Sequence, residues 1–156
     1  MTTIPIEKSK AIKAFKNADK SGKKLLSDLL GEEVLSEKVT DRITSFLDAL
    51  EAVGETLESF NKRTKNDEEH EVAYKMLVVI AKALNEDWQP DWADISEYKY
   101  QPYFNVTSGG GLAFYGSDYW SAGTFVGSRL CFKSAELAKY AGIQFKGVYE
   151  NMFLIK

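Results

Sequence analysis

The chain has 156 residues, is 44% hydrophobic and 28% charged, and carries a formal net charge of −3. These values suit one globular domain, alone or with a helical appendage, large enough to fold around a core without disulfide staples. The single cysteine, Cys131, excludes an internal disulfide and fits a reducing compartment. The first residues lack the apolar core of a leader, and no apolar run approaches ~20 residues, so neither a signal peptide nor a membrane span is expected.

The charge is unevenly spread: +5 over residues 1–24, −7 over 25–60, −3 over 61–94 and +2 over 95–156. The leading lysines interleave with Ala11, Ile12 and Phe15 at helical spacing, predicting an amphipathic helix over 7–18 with Ile12 and Phe15 inward. Ser21-Gly22 is the expected break. A second helix follows from Lys23 to Leu30, stopped by Gly31. Thr40 or Asp41 is the expected cap of a third, with Ile43, Phe46, Leu47, Leu50 and Val53 in one stripe that ends at Gly54. The polar run Asn61 to Asn66 reads as a linker between a charged helical region, 1–60, and an α+β domain, 66–156.

Asn66 is the expected cap of the longest helix, whose acidic start, Asp67-Glu68-Glu69, suits the positive end of its dipole. Val72, Met76, Val79 and Ala83 form one apolar row, with Ala73, Leu77, Ile80 and Leu84 beside it, so this helix should be central to the core. It should pack against Leu137, Phe145 and Val148 of a closing helix. Beyond Asn85 the pattern changes. Twenty residues are aromatic, and sixteen of them lie between Trp88 and Phe153. Residues 98–106 alternate and predict a strand, demoted to an edge by Pro102. Gly109-Gly110-Gly111 turns the chain into a short strand, Leu112 to Tyr115. A turn at Gly116-Ser117-Asp118 leads to a third strand, Thr124 to Phe132. Ser134 caps a single closing helix with Leu137, Ala141, Phe145, Val148 and Met152 inward. The expected fold is therefore α+β: a helical front, a long central helix, and a three-stranded antiparallel meander closed by a C-terminal helix.

Two stretches carry a resemblance. One comprises Ala81-Lys82-Ala83-Leu84-Asn85, Trp88, Pro90-Asp91-Trp92, Glu97-Tyr98-Lys99-Tyr100 and Pro102-Tyr103-Phe104. The other comprises Val126-Gly127-Ser128-Arg129-Leu130-Cys131-Phe132-Lys133-Ser134, Leu137-Ala138, Tyr140-Ala141-Gly142 and Gln144-Phe145. Together they resemble an uncharacterised family of small proteins borne by phages, prophages and mobile elements of gut Bacteroidetes, over roughly residues 72–153. That resemblance implies a context, a phage or mobile-element product acting in the host cytoplasm or packed with the virion. It implies no catalytic residue.

The residues themselves give no reaction centre. His70-Glu71 starts like a zinc-protease helix, but Tyr74 stands where the second histidine is required. Asp67 and His70 have di-iron spacing, and a second such pair is missing. The glycine triplet is not followed by a phosphate-binding helix. Cys131 lies in an apolar stretch with no histidine nearby in sequence, and Asp91 with Asp94 lacks a partner motif. No metal, catalytic residue or cofactor is expected. What remains is an interaction surface, with Trp88, Trp92, Tyr98, Tyr103, Tyr119 and Trp120 as its candidate residues. The leading expectation is a non-enzymatic accessory protein acting through protein–protein contact, by self-assembly or by binding a host factor. The alternative is a single-stranded nucleic-acid binder that joins Lys10, Lys13, Lys16 and Lys20 to exposed stacking aromatics.

Overall fold

The computed structural model describes residues 5–123 and 129–155. Contacts divide the chain into two compact units, Met1–Arg42 and Ile43–Lys156. Among the described residues no helix is long and apolar enough to cross a membrane.

The first unit contains α1 (Lys8–Asn17), α2 (Lys20–Leu30), α3 (Glu32–Leu35) and α4 (Val39–Arg42), with α1, α2 and α3 packed on one another. Ala11 and Ile12 are buried, and Phe15 is half-buried beneath the Lys23 ammonium. The expected break at Ser21-Gly22 moves upstream. The Asp19 carboxylate accepts the Gly22 N–H at 2.8 Å and caps α2, which places Ser21 and Gly22 inside its first turn. Gly31 closes α2 at φ 79°, a conformation that costs other residues a clash at Cβ. On α2 the side chains of Leu25 and Leu29 stay exposed.

The second unit opens with α5 (Phe46–Ala52) and α6 (Leu57–Arg63). The single helix expected from Thr40 or Asp41 to Gly54 is thus two pieces, α4 and α5. Ser45 starts α5 with a reciprocal cap: its hydroxyl accepts the Asp48 N–H, and the Asp48 carboxylate accepts the Ser45 N–H at 2.8 Å. The carbonyls that this break leaves unpaired are taken by side chains from nearer the C-terminus, through Tyr140 Oη to Ile43 O (2.8 Å) and Gln144 Nε2 to Thr44 O (2.6 Å). The polar run that reads as a linker begins as helix, since α6 continues to Arg63, whose guanidinium grips Glu55 and lies over the Phe60 ring.

The long helix α7 (Glu69–Asn85) begins later than Asn66. Glu68 is its cap residue, and the Glu71 carboxylate accepts the Glu68 N–H. Ala73, Leu77, Val79, Ile80, Ala83 and Leu84 are buried, while Val72 and Met76 are half-buried. The chain leaves α7 through Glu86 at φ 56°, a left-handed value held by a Lys133 ammonium that reaches both Asn85 O and Glu86.

The sheet has two strands among the described residues, β1 (Lys99–Val106) and β2 (Leu112–Trp120), paired antiparallel. The glycine triplet makes their turn, closed by Thr107 N–H to Gly111 O at 2.8 Å, with Gly110 at φ 79°. Gly116-Ser117-Asp118 is not a turn. Pairing with Gln101 to Tyr103 keeps it in β2, and the strand absorbs Tyr115 as an extra residue between Tyr103 and Phe104. Of the expected third strand, the described part contributes one bridge, Tyr100 to Phe132. Residues 124–128 lie outside the described residues.

The single closing helix is likewise two, α8 (Ala135–Gln144), capped by Ser134, and α9 (Lys146–Phe153), with the break at Phe145. The helix α8 packs on both strands and α9 packs on α7. Leu137, Ala141 and Phe145 are buried, Val148 and Met152 are half-buried, and Tyr149 is the deepest side chain of α9. The expected α7-to-closing-helix packing is present, and the α+β class holds.

Candidate functional site

The hairpin carries most of the aromatic residues singled out from the sequence, and its alternation decides which of them reach solvent. Alternation separates Tyr98 and Tyr100 from Lys99 and Gln101 without saying which face is inward, and the structure puts the polar face inside at the start of β1: Lys99 is wholly buried, Gln101 is 5% exposed, and Tyr98, just ahead of the strand, is half exposed. The loop 86–98 explains this. It closes over the Lys99 side chain, so that the ammonium meets the Glu97 carboxylate at 3.1 Å, donates to Asp94 O at 2.9 Å, and sits 5.3 Å from the centre of the Trp92 ring. Glu97 also accepts the Trp88 indole N–H (3.1 Å) and the Asp91 N–H (2.9 Å). Its partial burial works to raise its carboxyl pKa, but the bonds from Lys99, Asp91 and Trp88 outweigh that and lower it. The Trp92 indole nitrogen is buried and has no hydrogen-bond partner among the described residues.

Of the two indoles, Trp92 covers the Lys99 ammonium and Trp88 holds its partner Glu97, and each is half-buried. Beside the Lys99 pocket Asn85, at the end of α7, works in both directions: its amide donates to Cys131 O at 2.8 Å and accepts the Lys133 N–H at 3.0 Å. Cys131 is buried, and burial pushes its thiol up to about 11. A protonated, shielded thiol is a poor nucleophile.

Outside the pocket the tyrosines fall into two groups. Tyr98, Tyr100 and Tyr119 form one cluster, with Tyr98 and Tyr119 ring centres 4.5 Å apart and Tyr100 touching both. Tyr103 and Tyr115 form a second, edge-to-face at 5.6 Å. Tyr98, Tyr103, Tyr115 and Tyr119 are each about half exposed or more. Among the described residues no ring contact joins the two groups. Trp120 pairs across from Lys99 and is half-buried, so it stands apart from Tyr98 and Tyr119. Tyr115 is the most exposed of these rings, and the sequence reading did not single it out. The expected turn at Gly116 had placed it at a strand end.

The basic candidates lie in the first unit. Lys10 pairs with Glu7 at 3.0 Å and Lys16 with Glu37 at 2.6 Å, whereas Lys13 and Lys20 are exposed. His70 is exposed near Glu68, and no group of three or more potential metal ligands occurs among the described residues. Asp91 and Asp94 are turn residues: each carboxylate accepts the N–H two residues on, from Ala93 and Ser96. No protein-family model, no curated protein and no solved structure matches this chain.

Proposed function

We propose that the chain is a non-enzymatic binding protein whose contact surface is the tyrosine face of the β1–β2 hairpin, and that its partner is a protein. The observation that carries this reading is the cluster of Tyr98, Tyr100 and Tyr119, three touching rings of which two are half exposed. Tyrosine offers a large, stiff apolar face with a polar tip, loses little rotamer freedom on docking, and is enriched among residues that dominate interface energies. The hairpin carries one cation, Lys99, and it is buried. A groove that tracks phosphates needs several exposed cations, and two of the four lysines proposed for that role already face carboxylates. In the phage or mobile-element setting that the sequence resembles, the partner is a second copy in an assembly or a host factor, met in the host cytoplasm or within the virion.

The test is sedimentation of the purified chain across a concentration series, with cross-linking in host extract beside it, for wild type and Tyr98→Ala/Tyr119→Ala. Association that the double variant loses, with a melting temperature within about 2 °C of wild type, supports the reading; a hot-spot ring contributes mainly in the complex. Identical behaviour of both proteins refutes it. Submicromolar binding of a labelled single-stranded oligodeoxynucleotide at physiological salt, abolished by Lys13→Glu/Lys16→Glu, refutes it in favour of nucleic acid.

A further inference from the structure

The segment between α7 and β1, residues 87–98, is tied down at its ends and at one point between. At its start the Lys133 ammonium fixes Glu86 at 3.1 Å, and the Trp88 N–H bonds Asn85 O at 3.1 Å. At its finish the chain enters β1, where Tyr100 exchanges two backbone bonds with Phe132. Apart from that Trp88 bond, every hydrogen bond or ion pair among the described residues that leaves 87–98 ends on one side chain, Lys99. Its ammonium reaches Asp94 O and the Glu97 carboxylate, and Glu97 gathers the segment through the Trp88 indole and the Asp91 N–H. The Asp91 and Asp94 carboxylates accept from Ala93 and Ser96, within the segment, and Ile95 is 70% exposed. Segments with few backbone bonds to the fold and little apolar burial are the ones that open below the free energy of global unfolding.

The surface beneath is held without this segment. Asn85 bonds both Cys131 O and the Lys133 N–H, and Phe132 bonds Tyr100, so residues 131–133 stay fastened to α7 and β1 when the segment lifts. Cys131 is 2% exposed, and with Trp88 and Trp92 it lines a cleft of about 540 Å³ between the segment and the end of α7. Lys99 and Glu97 both act on the ionisation of its thiol, which puts the ion pair close to the sulfur. Opening breaks that pair but returns the ammonium to water, and regained hydration offsets most of the lost attraction. We propose that residues 87–98 form a strap latched by Lys99, which opens as one unit while the rest of the fold stays closed and so gates access to Cys131. This device lies within one chain and does not depend on the tyrosine face having a protein partner.

The test is the rate at which Ellman's reagent labels Cys131 in the native full chain at pH 8, followed against urea and compared with global unfolding. Opening of the strap alone exposes little surface. Labelling should therefore run at least about tenfold faster than global unfolding allows, and should rise with urea less than about half as steeply. Glu97→Gln leaves the ammonium unpaired in the closed strap and should speed labelling about a hundredfold. Lys99→Met removes the latch without stranding a charge and should speed labelling about tenfold, with circular dichroism unchanged. Ser45→Ala weakens the whole fold from outside the strap, at the start of α5, and should leave labelling in water within about twofold of wild type. Labelling that follows the global unfolding constant, in urea and in Ser45→Ala, overturns the proposal, because the thiol is then reached only by unfolding. Rates within about twofold of wild type in both Glu97→Gln and Lys99→Met also overturn it, because something other than Lys99 then holds the strap.

Discussion

The buried Lys99–Glu97 pair yields the sharpest prediction, because its two members are unequally exposed. The Lys99 side chain has no solvent exposure, while that of Glu97 keeps 25%. Glu97→Gln preserves shape and one acceptor oxygen but leaves an ammonium enclosed with only the Asp94 and Ser121 carbonyls and the Trp92 ring. An uncompensated buried charge costs ~3–5 kcal/mol, and the retained acceptor argues for the lower end, about 3 kcal/mol. Lys99→Met removes the charge from the enclosed side. Glu97 then keeps water and its bonds from Trp88 and Asp91, and the main cost is the donor lost to the two carbonyls, about 1–2 kcal/mol. The double variant should resemble Lys99→Met alone, since no buried cation is left to strand. Urea unfolding followed by tryptophan fluorescence, run as a double-mutant cycle, measures all three differences. If Glu97→Gln costs no more than Lys99→Met, the ammonium is not enclosed as described and the account of the buried Lys99 fails.

Three further outcomes follow from local geometry. Gly142→Ala places a methyl 2.7 Å from the Phe114 ring and 2.8 Å from Pro102 Cβ, where α8 crosses the hairpin, and should cost ~1–3 kcal/mol; an unchanged thermal melt would show that this contact is loose. Bonds from the Ser45 side chain and then from Thr44 hold the Asp48 carboxyl below its ordinary value of 3.8, so its contribution is complete above that pH and is lost as pH falls through the lower folded value. Ser45→Ala removes the helix cap, should cost ~1 kcal/mol at neutral pH, and should move the Asp48 titration upward in a carboxyl NMR series. Burial raises the Cys131 thiol from 9.0 to about 11, so the stability this provides is complete below pH 9.0 and lost as pH rises towards 11. In the native protein at pH 8, Ellman's reagent should react with Cys131 only as fast as the chain opens, whereas in denaturant it should react at once.

What the sequence alone determined are the features set by near neighbours. Gly31 stops α2 and Ser134 caps α8, because a left-handed φ and a hydroxyl acceptor act within one helical turn. The two apolar rows of α7 announced a helix buried over a wide arc, and the glycine triplet announced the hairpin turn. Tertiary structure decided the rest. The helices break at Ser45 and Phe145 despite unbroken apolar stripes, and at Ser45 the loose carbonyls find Tyr140 and Gln144 about a hundred residues away in sequence. Gly116-Ser117-Asp118 has turn chemistry, yet β1 supplies it with ladder partners and it stays extended. The burial of Lys99 was the least legible feature. Alternation ranks side chains by polarity, whereas burial of an ammonium depends on whether a distant loop brings a carboxylate and a carbonyl to meet it. That loop also sets Trp92 over the ammonium and ties Trp88 to Glu97, while Tyr98 and Tyr119 stay half exposed.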